Sequence, residues 1–232
     1  RAVRVAWYLV RIVAAFTIFT AVAATFYAVL TAGDLVFWNF FGFFTIQSNI
    51  IAMVVLILTA LHTDQPRWGW LTYARAAATT YLIIVTAVYW TLLVNVDVQT
   101  PQVWTNTILH AVSGTIMLAD WLLEGPRRPL DWRMSWTVLI YPVVWLTVIL
   151  IRGATDGWVP YPFLDPANGY LSVALVCAGI VALGWVVGLG VFQLTRWRLI
   201  TPDDNHRHMP DAAVASPDDE PEARLALESD PA

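Results

Sequence analysis

A hydroxyl group and an imidazole lie inside two separate apolar runs of this sequence, at Thr45 and His110. Histidine is the commonest general base in enzymes, and a base beside a hydroxyl group converts that oxygen into a nucleophile. Each residue lies about seven residues into its run, which corresponds to about 10 Å of helix from the same boundary. Because equal depth allows the two side chains to meet, nucleophilic attack by Thr45 is one hypothesis for this chain.

Other polar side chains flank these two positions. Residues three or four apart share a helix face, so Ser48 and Asn49 continue the stripe that begins at Thr45, and Asn106 shares a face with His110. One interpretation is support for a reaction, with Asn49 or Asn106 donating to an oxyanion. The alternative is ordinary contact between membrane helices, whose hydroxyl and amide side chains often bond to each other, with His110 as a neutral, hydrogen-bonded histidine.

The composition indicates an integral membrane protein. Of the 232 residues, 58% are hydrophobic and 13% are charged, and the mean hydropathy is +0.61, whereas soluble domains are roughly a quarter charged. Every one of the 13 basic residues is arginine, and the absence of lysine excludes a retinal Schiff base and a P-loop lysine. Cys177 is alone, so neither an internal disulfide nor a thiolate metal cluster can form. We expect no metal site, no cofactor and no nucleic-acid partner.

Helices must position these groups, and the apolar runs predict six membrane spans of about 20 residues each. Twelve arginines flank these spans on one side and one, Arg152, lies on the other, which predicts that both termini are cytoplasmic. The fold class is therefore an all-α integral membrane protein with a six-transmembrane helix bundle over residues 1–197. Residues 198–232 have the composition of a disordered, acidic cytoplasmic tail. The spans are predicted at 10–31, 38–61, 71–94, 103–123, 134–151 and 169–195.

The fifth connection, "RGATDGWVPYPFLDPANGY", is the richest outer loop, with three prolines and four aromatic residues. We expect it to be ordered, as a lid over the bundle. Arg152 at its start would bind an anionic headgroup or carboxylate, or else anchor the helix at the interface. Trp158 and Tyr161 are the further candidates for substrate binding.

Two other features lie away from this outer end. Asp120 and Glu124 are about 10 residues or more beyond His110, so they lie roughly 15 Å too deep to orient its ring. We expect Asp120 to pair with nearby arginines, with a proton relay as the alternative. Gly184 and Gly188 form a G-x-x-x-G motif, which favours close helix packing.

Three motifs, "FFTIQSN", "NTILH" and "GWVPYPFLDP", occur in the order and at the spacing found in the androgen-induced-protein family of multi-pass membrane proteins. The chain resembles a bacterial member of that family over most of residues 5–195. The resemblance implies a threonine hydrolase that cleaves fatty acid esters of hydroxy fatty acids. By motif, Thr45 matches the family's nucleophile, His110 its essential histidine and Asn106 a family asparagine.

The chain also departs from the family pattern. Pro160 stands where the spacing in eukaryotic members is tighter, and Thr107 occupies a position where those members often carry a second histidine. We expect an intramembrane hydrolase of lipid esters in a bacterial plasma membrane, with membrane lipids as its surroundings. The alternatives are a small-solute transporter or channel and a structural membrane protein, which would use the same polar stripes without chemistry.

Overall fold

A computed structural model describes residues 2–62, 69–96, 102–124 and 129–196, and every regular element within these ranges is helical. Five helical stretches are long and apolar enough to cross a membrane, as expected of a multi-pass membrane protein. The predicted tail, residues 198–232, lies outside the described residues. The five stretches are Arg4–Ala32, Phe44–Leu61, Gly69–Leu93, Trp132–Thr155 and Tyr170–Arg196.

Eight α-helices and several tighter or wider helical turns make up the described chain. Three short 3₁₀ helices lie at Pro162–Leu164, Pro166–Asn168 and Leu194–Arg196, and a longer one at Trp132–Leu139 leads directly into α7. Two π-helical turns lie at Tyr89–Leu93, after α4, and at Ile108–Val112, between α5 and α6. The α-helices are α1 (Ala2–Ala32), α2 (Phe37–Phe40), α3 (Phe44–Leu61), α4 (Gly69–Val88), α5 (Val103–Thr107), α6 (Ser113–Leu123), α7 (Ile140–Thr155) and α8 (Tyr170–Gln193).

The first helix shows how local sequence sets an element's limits. Its 31 residues contain no proline, and it ends where Gly33 adopts a φ of +82°. The N–H of Gly33 then donates to the carbonyl of Leu30, and the N–H of Asp34 to that of Val29, so two of the last four carbonyls of α1 are satisfied.

α4 occupies the centre of the bundle. It packs against α3, α6 and α8, and most of its residues are buried. α1 packs chiefly on α3, while α7 and α8 leave large apolar side chains exposed, such as Val144 and Leu175. On a membrane protein these exposed apolar faces are the ones that contact lipid.

The second predicted span, 38–61, is wrong in one respect that affects the site. The helix is interrupted after α2, and α3 begins only at Phe44, so Thr45 is the second residue of a helix. The interruption depends on tertiary packing: a Cβ at Gly42 would lie 2.6 Å from the indole of Trp158. Two backbone carbonyls at this interruption accept hydrogen bonds from side chains. Trp145 donates to the carbonyl of Gly42, and Gln47 donates to the carbonyl of Phe41.

The predicted span 103–123 is helical over its whole length, as α5, a π-helical turn and α6 in succession. The described chain forms a helical bundle. Within the span 103–123, the π-helical turn, which is wider than an α-helical turn, contains His110. Such turns are rare and occur frequently at functional sites.

Candidate functional site

The structure brings Thr45 and His110 together. Thr45 Oγ1 lies 3.3 Å from His110 Nε2, and both side chains are buried. Thr45 is on α3 and His110 on the π-helical turn before α6, so the contact joins two elements 65 residues apart in sequence. The separation is that of a hydroxyl group and a base that can take its proton.

The second ring nitrogen of His110 fixes the direction of this hydrogen bond. His110 Nδ1 lies 3.1 Å from the backbone carbonyl oxygen of Asn106. Because a carbonyl oxygen only accepts, Nδ1 carries the proton and Nε2 presents its lone pair to Thr45. The Tyr89 ring stacks on the imidazole with centroids 4.2 Å apart and holds its plane.

Tyr89 was not among the residues predicted from the sequence. Its hydroxyl accepts a hydrogen bond of 2.6 Å from Asn106 Nδ2, so Tyr89 contacts both His110 and the residue one helical turn before it. Counting residues from the outer end of each predicted span, which pairs Thr45 with His110, also indicates Tyr89. It lies about five residues, or about 8 Å, from the outer end of its span, at a similar depth. Asn106 therefore contributes through its backbone carbonyl and its contact with Tyr89.

Asn49 connects α3 to the same π-helical turn. The N–H of Ser113 donates to the carbonyl of Ile108, five residues earlier, and so leaves the carbonyl of Leu109 to other donors. Asn49 Nδ2 donates to that Leu109 oxygen at 3.0 Å and to the Thr45 carbonyl at 2.9 Å. Both amide protons are thus used, and Asn49 supports the position of the turn rather than donating to an oxyanion.

Ser48 is completely buried beside Asn49, and its Oγ has no hydrogen-bond partner among the described residues. No described side chain therefore activates this hydroxyl as a nucleophile. Gln47, on another face, donates to Phe41 and accepts from the Tyr141 hydroxyl.

Tyr161, from the outer loop, is the third side chain at the centre of the site. Its hydroxyl lies 3.2 Å from Thr45 Oγ1 and accepts from the Thr45 N–H at 3.3 Å. Since the Thr45 hydroxyl proton points to His110, the Tyr161 hydroxyl donates to Thr45 Oγ1. Burial raises the pKa of Tyr161, so this hydroxyl keeps its proton.

Arg152 and Trp158 lie outside the cavity at Thr45 and stabilise the outer loop. Arg152 forms an ion pair with Asp156 at 2.8 Å, donates to Asn39 Oδ1 at 2.9 Å and stacks 4.3 Å from the centre of the Trp158 ring. Trp158 in turn covers Gly42 at the interruption before α3. Of the three candidates for substrate binding, only Tyr161 lines the cavity.

An apolar cavity opens from the Thr45–His110 pair into the bundle. It has a volume of about 70 Å³, is open on one side and is enclosed mainly by α4, α7 and α8. Apart from Thr45, His110, Tyr161 and Cys177, its lining is hydrophobic. A ligand that reaches the hydroxyl of Thr45 from this side must therefore be apolar.

A buried charge cluster lies at the other end of the bundle, and it contains Arg11, Arg75, Asp120 and Glu124. Asp120 accepts from Arg11 at 2.7 Å and from Arg75 at 2.5 Å, and Arg11 also pairs with Glu124. The expectation that Asp120 pairs with arginines is thus confirmed by the geometry. Within the described residues, no group of His, Cys, Asp and Glu is arranged to hold a metal ion.

Comparisons of the chain with protein-family models, with curated proteins and with solved structures find no match.

Proposed function

We propose that this chain is an intramembrane threonine hydrolase that cleaves lipid esters of the fatty acid–hydroxy fatty acid type. The observation that carries the proposal is the 3.3 Å contact between Thr45 Oγ1 and His110 Nε2 at the head of an apolar cavity. A hydroxyl group activated by an imidazole attacks electrophilic centres such as an ester carbonyl, and an apolar cavity within a membrane bundle favours a substrate with acyl chains.

The reaction begins at Thr45. Its Oγ attacks the ester carbonyl carbon while His110 Nε2 takes the hydroxyl proton, and the other proton stays on Nδ1, which continues to donate to the Asn106 carbonyl. The tetrahedral oxyanion then accepts a hydrogen bond from the Tyr161 hydroxyl. Thr45 is the second residue of α3, so the partial positive charge of this helix N-terminus also favours an oxyanion beside it.

The intermediate collapses when the ester carbon–oxygen bond breaks. His110 Nε2 returns its proton to the departing alkoxide, which leaves as an alcohol, and the acyl group stays on Thr45. Water then attacks the acyl–threonine bond while His110 again acts as base, and Thr45 is restored as the fatty acid departs. The chain's own residues thus account for every proton transfer, and the reaction needs no cofactor.

Two further considerations support the proposal. The motifs that contain Thr45, Asn106, His110 and Tyr161 are those on which the chain resembles the androgen-induced-protein family. The membrane setting also fits a lipid substrate, and we assign the chain to a bacterial plasma membrane with six spans and both termini cytoplasmic. The alternative of a transporter would need polar groups along a pathway, whereas the cavity beyond His110 is lined by hydrophobic residues.

The proposal is tested by labelling purified protein in lipid with a fluorophosphonate probe. We expect wild type to react, Thr45→Ala not to react and His110→Ala to react at least about 100-fold more slowly, in the range of general base catalysis. Ser48→Ala is the matched control for a buried hydroxyl one turn away, and it should react like wild type. Labelling that persists in Thr45→Ala, or a wild type that neither reacts nor hydrolyses lipid esters, refutes the proposal.

A further inference from the structure

The apolar cavity extends from the site along α8 towards the middle of the bundle. Its wall on α8 comprises Cys177, Ile180 and Val181, and Gly184 follows less than one turn later. We propose that this cavity holds the acyl chain of the ester and that Gly184 sets the length of the chain it accepts. The inference rests on the proposed function for the ester chemistry, but the binding of an acyl chain can be tested without it.

The walls suit an acyl chain that enters from the bilayer. α8 packs closely on the 3₁₀ helix Trp132–Leu139, which leads into α7, but makes few contacts with α7 itself. α7 and α8 therefore diverge after Leu139 and leave a gap between them. Val143 in the cavity wall is 42% exposed, and Ile180 and Val181 are half-buried at the same gap. An apolar chain can therefore pass from lipid into the cavity between α7 and α8 without crossing polar surface.

The inner end of the cavity is formed by Ile84 on α4 and Leu139 at the base of α7. Both side chains rest against Gly184: a Cβ at this position would lie 2.9 Å from Leu139 Cδ2 and 3.1 Å from Ile84 Cδ1. Contacts this short force the two side chains to move, and the cavity is the free space beside them. Gly184→Ala should therefore shorten the cavity from its inner end.

The length of the cavity can be measured along α8, the helix that forms one of its walls. Cys177 and Gly184 are seven residues apart on α8, which corresponds to about 10 Å. Cys177 lies in the cavity wall, and Gly184 lies against Ile84 and Leu139, which form the inner end of the cavity. About 10 Å of the cavity therefore lies between Cys177 and its inner end. If the added methyl group of Gly184→Ala moves this inner end towards Thr45, the cavity should reject the longest acyl chains and still accept short ones.

Gly188 offers a matched control on the same helix. A Cβ there would lie 3.2 Å from Val138 Cγ2 and 3.4 Å from the Ser135 carbonyl oxygen, so the position is also closely packed. Neither Val138 nor Ser135 lines the cavity. Gly188→Ala thus adds the same methyl group to the same motif without changing the inner end of the cavity.

The first experiment measures kcat/KM for esters of one alcohol with acyl chains of increasing length, on purified protein in lipid. We expect Gly184→Ala to lose about tenfold or more on the longest chains that wild type accepts and to keep the rate on short ones. Leu139→Ala should extend the accepted range, and Gly188→Ala should reproduce the wild-type profile. A loss in Gly184→Ala that is equal at all lengths, or shared by Gly188→Ala, overturns the role of Gly184.

The second experiment separates binding from catalysis, using the single cysteine of the chain, which lines the cavity. A membrane-permeant maleimide is applied to wild type and to Thr45→Ala in the presence of free fatty acids of increasing length. We expect fatty acids to slow labelling of Cys177 several-fold in both proteins, with the same length limit and a shorter limit in Gly184→Ala. Protection without ester hydrolysis supports the acyl site while the hydrolase proposal fails. Hydrolysis without protection by any fatty acid overturns the acyl site alone.

Discussion

At the scale of single residues, a continuous chain of hydrogen bonds surrounds the Thr45 hydroxyl. The Thr45 N–H donates to Tyr161, the Tyr161 hydroxyl to Thr45 Oγ1, that hydroxyl to His110, and His110 to the Asn106 carbonyl. A carbonyl selects the tautomer of the imidazole as a carboxylate would, but it adds no negative charge to stabilise the imidazolium. Asp120, the nearest carboxylate along the helix, is ten residues away, at about 15 Å.

The hydroxyl of Tyr161 can be tested by Tyr161→Phe, which keeps the buried ring and removes the donor. We expect kcat to fall about 10²- to 10³-fold, as for the loss of an oxyanion donor, with little change in KM. Since burial raises the pKa of Tyr161, the wild-type rate should show no alkaline decline at the ordinary tyrosine pKa. The measurement is steady-state ester hydrolysis against pH.

Tyr141→Phe is the control for this change, because the Tyr141 hydroxyl donates to Gln47 and not to Thr45. It should retain the wild-type kcat. A kcat for Tyr161→Phe equal to that of Tyr141→Phe would show that Tyr161 contributes packing only.

At the scale of elements, the π-helical turn at Ile108–Val112 and the late start of α3 together create the site. Asn49 holds the two together through the Leu109 carbonyl. Asn49→Ala removes both of its hydrogen bonds and should lower the free energy of unfolding by about 1–2 kcal/mol. Because His110 then loses its register with Thr45, kcat should fall as well; equilibrium unfolding in mixed micelles and ester hydrolysis measure the two effects.

Ser48→Ala serves as the control, since the buried Ser48 Oγ has no hydrogen-bond partner within the part of the chain that the structure describes. Its removal should leave stability unchanged or slightly higher. If Asn49→Ala behaves in the same way, the link between α3 and the π-helical turn does not position His110.

The same elements show what sequence alone could predict. Hydropathy and helical rise were enough to place Thr45 and His110 at one depth, because both depend only on the number of residues from a span's end. The interruption at Gly42 and the π-helical turn at His110 could not be predicted, since they depend on Trp158, Trp145 and Asn49, which come from distant elements. For the same reason the sequence predicts Tyr161 as a candidate for substrate binding in the outer loop but does not predict its contact with Thr45.

At the scale of the whole molecule, two buried polar clusters lie near opposite ends of the described bundle. One is the Thr45 site, and the other is the charge cluster of Arg11, Arg75, Asp120 and Glu124 near the opposite end. Ionised side chains within a membrane bundle are costly unless they are paired. The cluster joins α1, α4 and α6, and Asp120 is its centre because it bonds to both arginines.

Asp120→Asn tests whether this cluster stabilises the bundle. The substitution leaves two buried guanidinium groups without their shared carboxylate, so we expect the free energy of unfolding to fall by about 3–5 kcal/mol. Asp156→Asn removes a carboxylate from an exposed arginine pair and should change stability little. Because the cluster is about 15 Å from His110, folded Asp120→Asn protein should hydrolyse esters at the wild-type kcat.

Equal unfolding midpoints for Asp120→Asn and Asp156→Asn would show that the buried cluster does not stabilise the bundle. A lower kcat in folded Asp120→Asn protein would show that the charge cluster affects the Thr45 site.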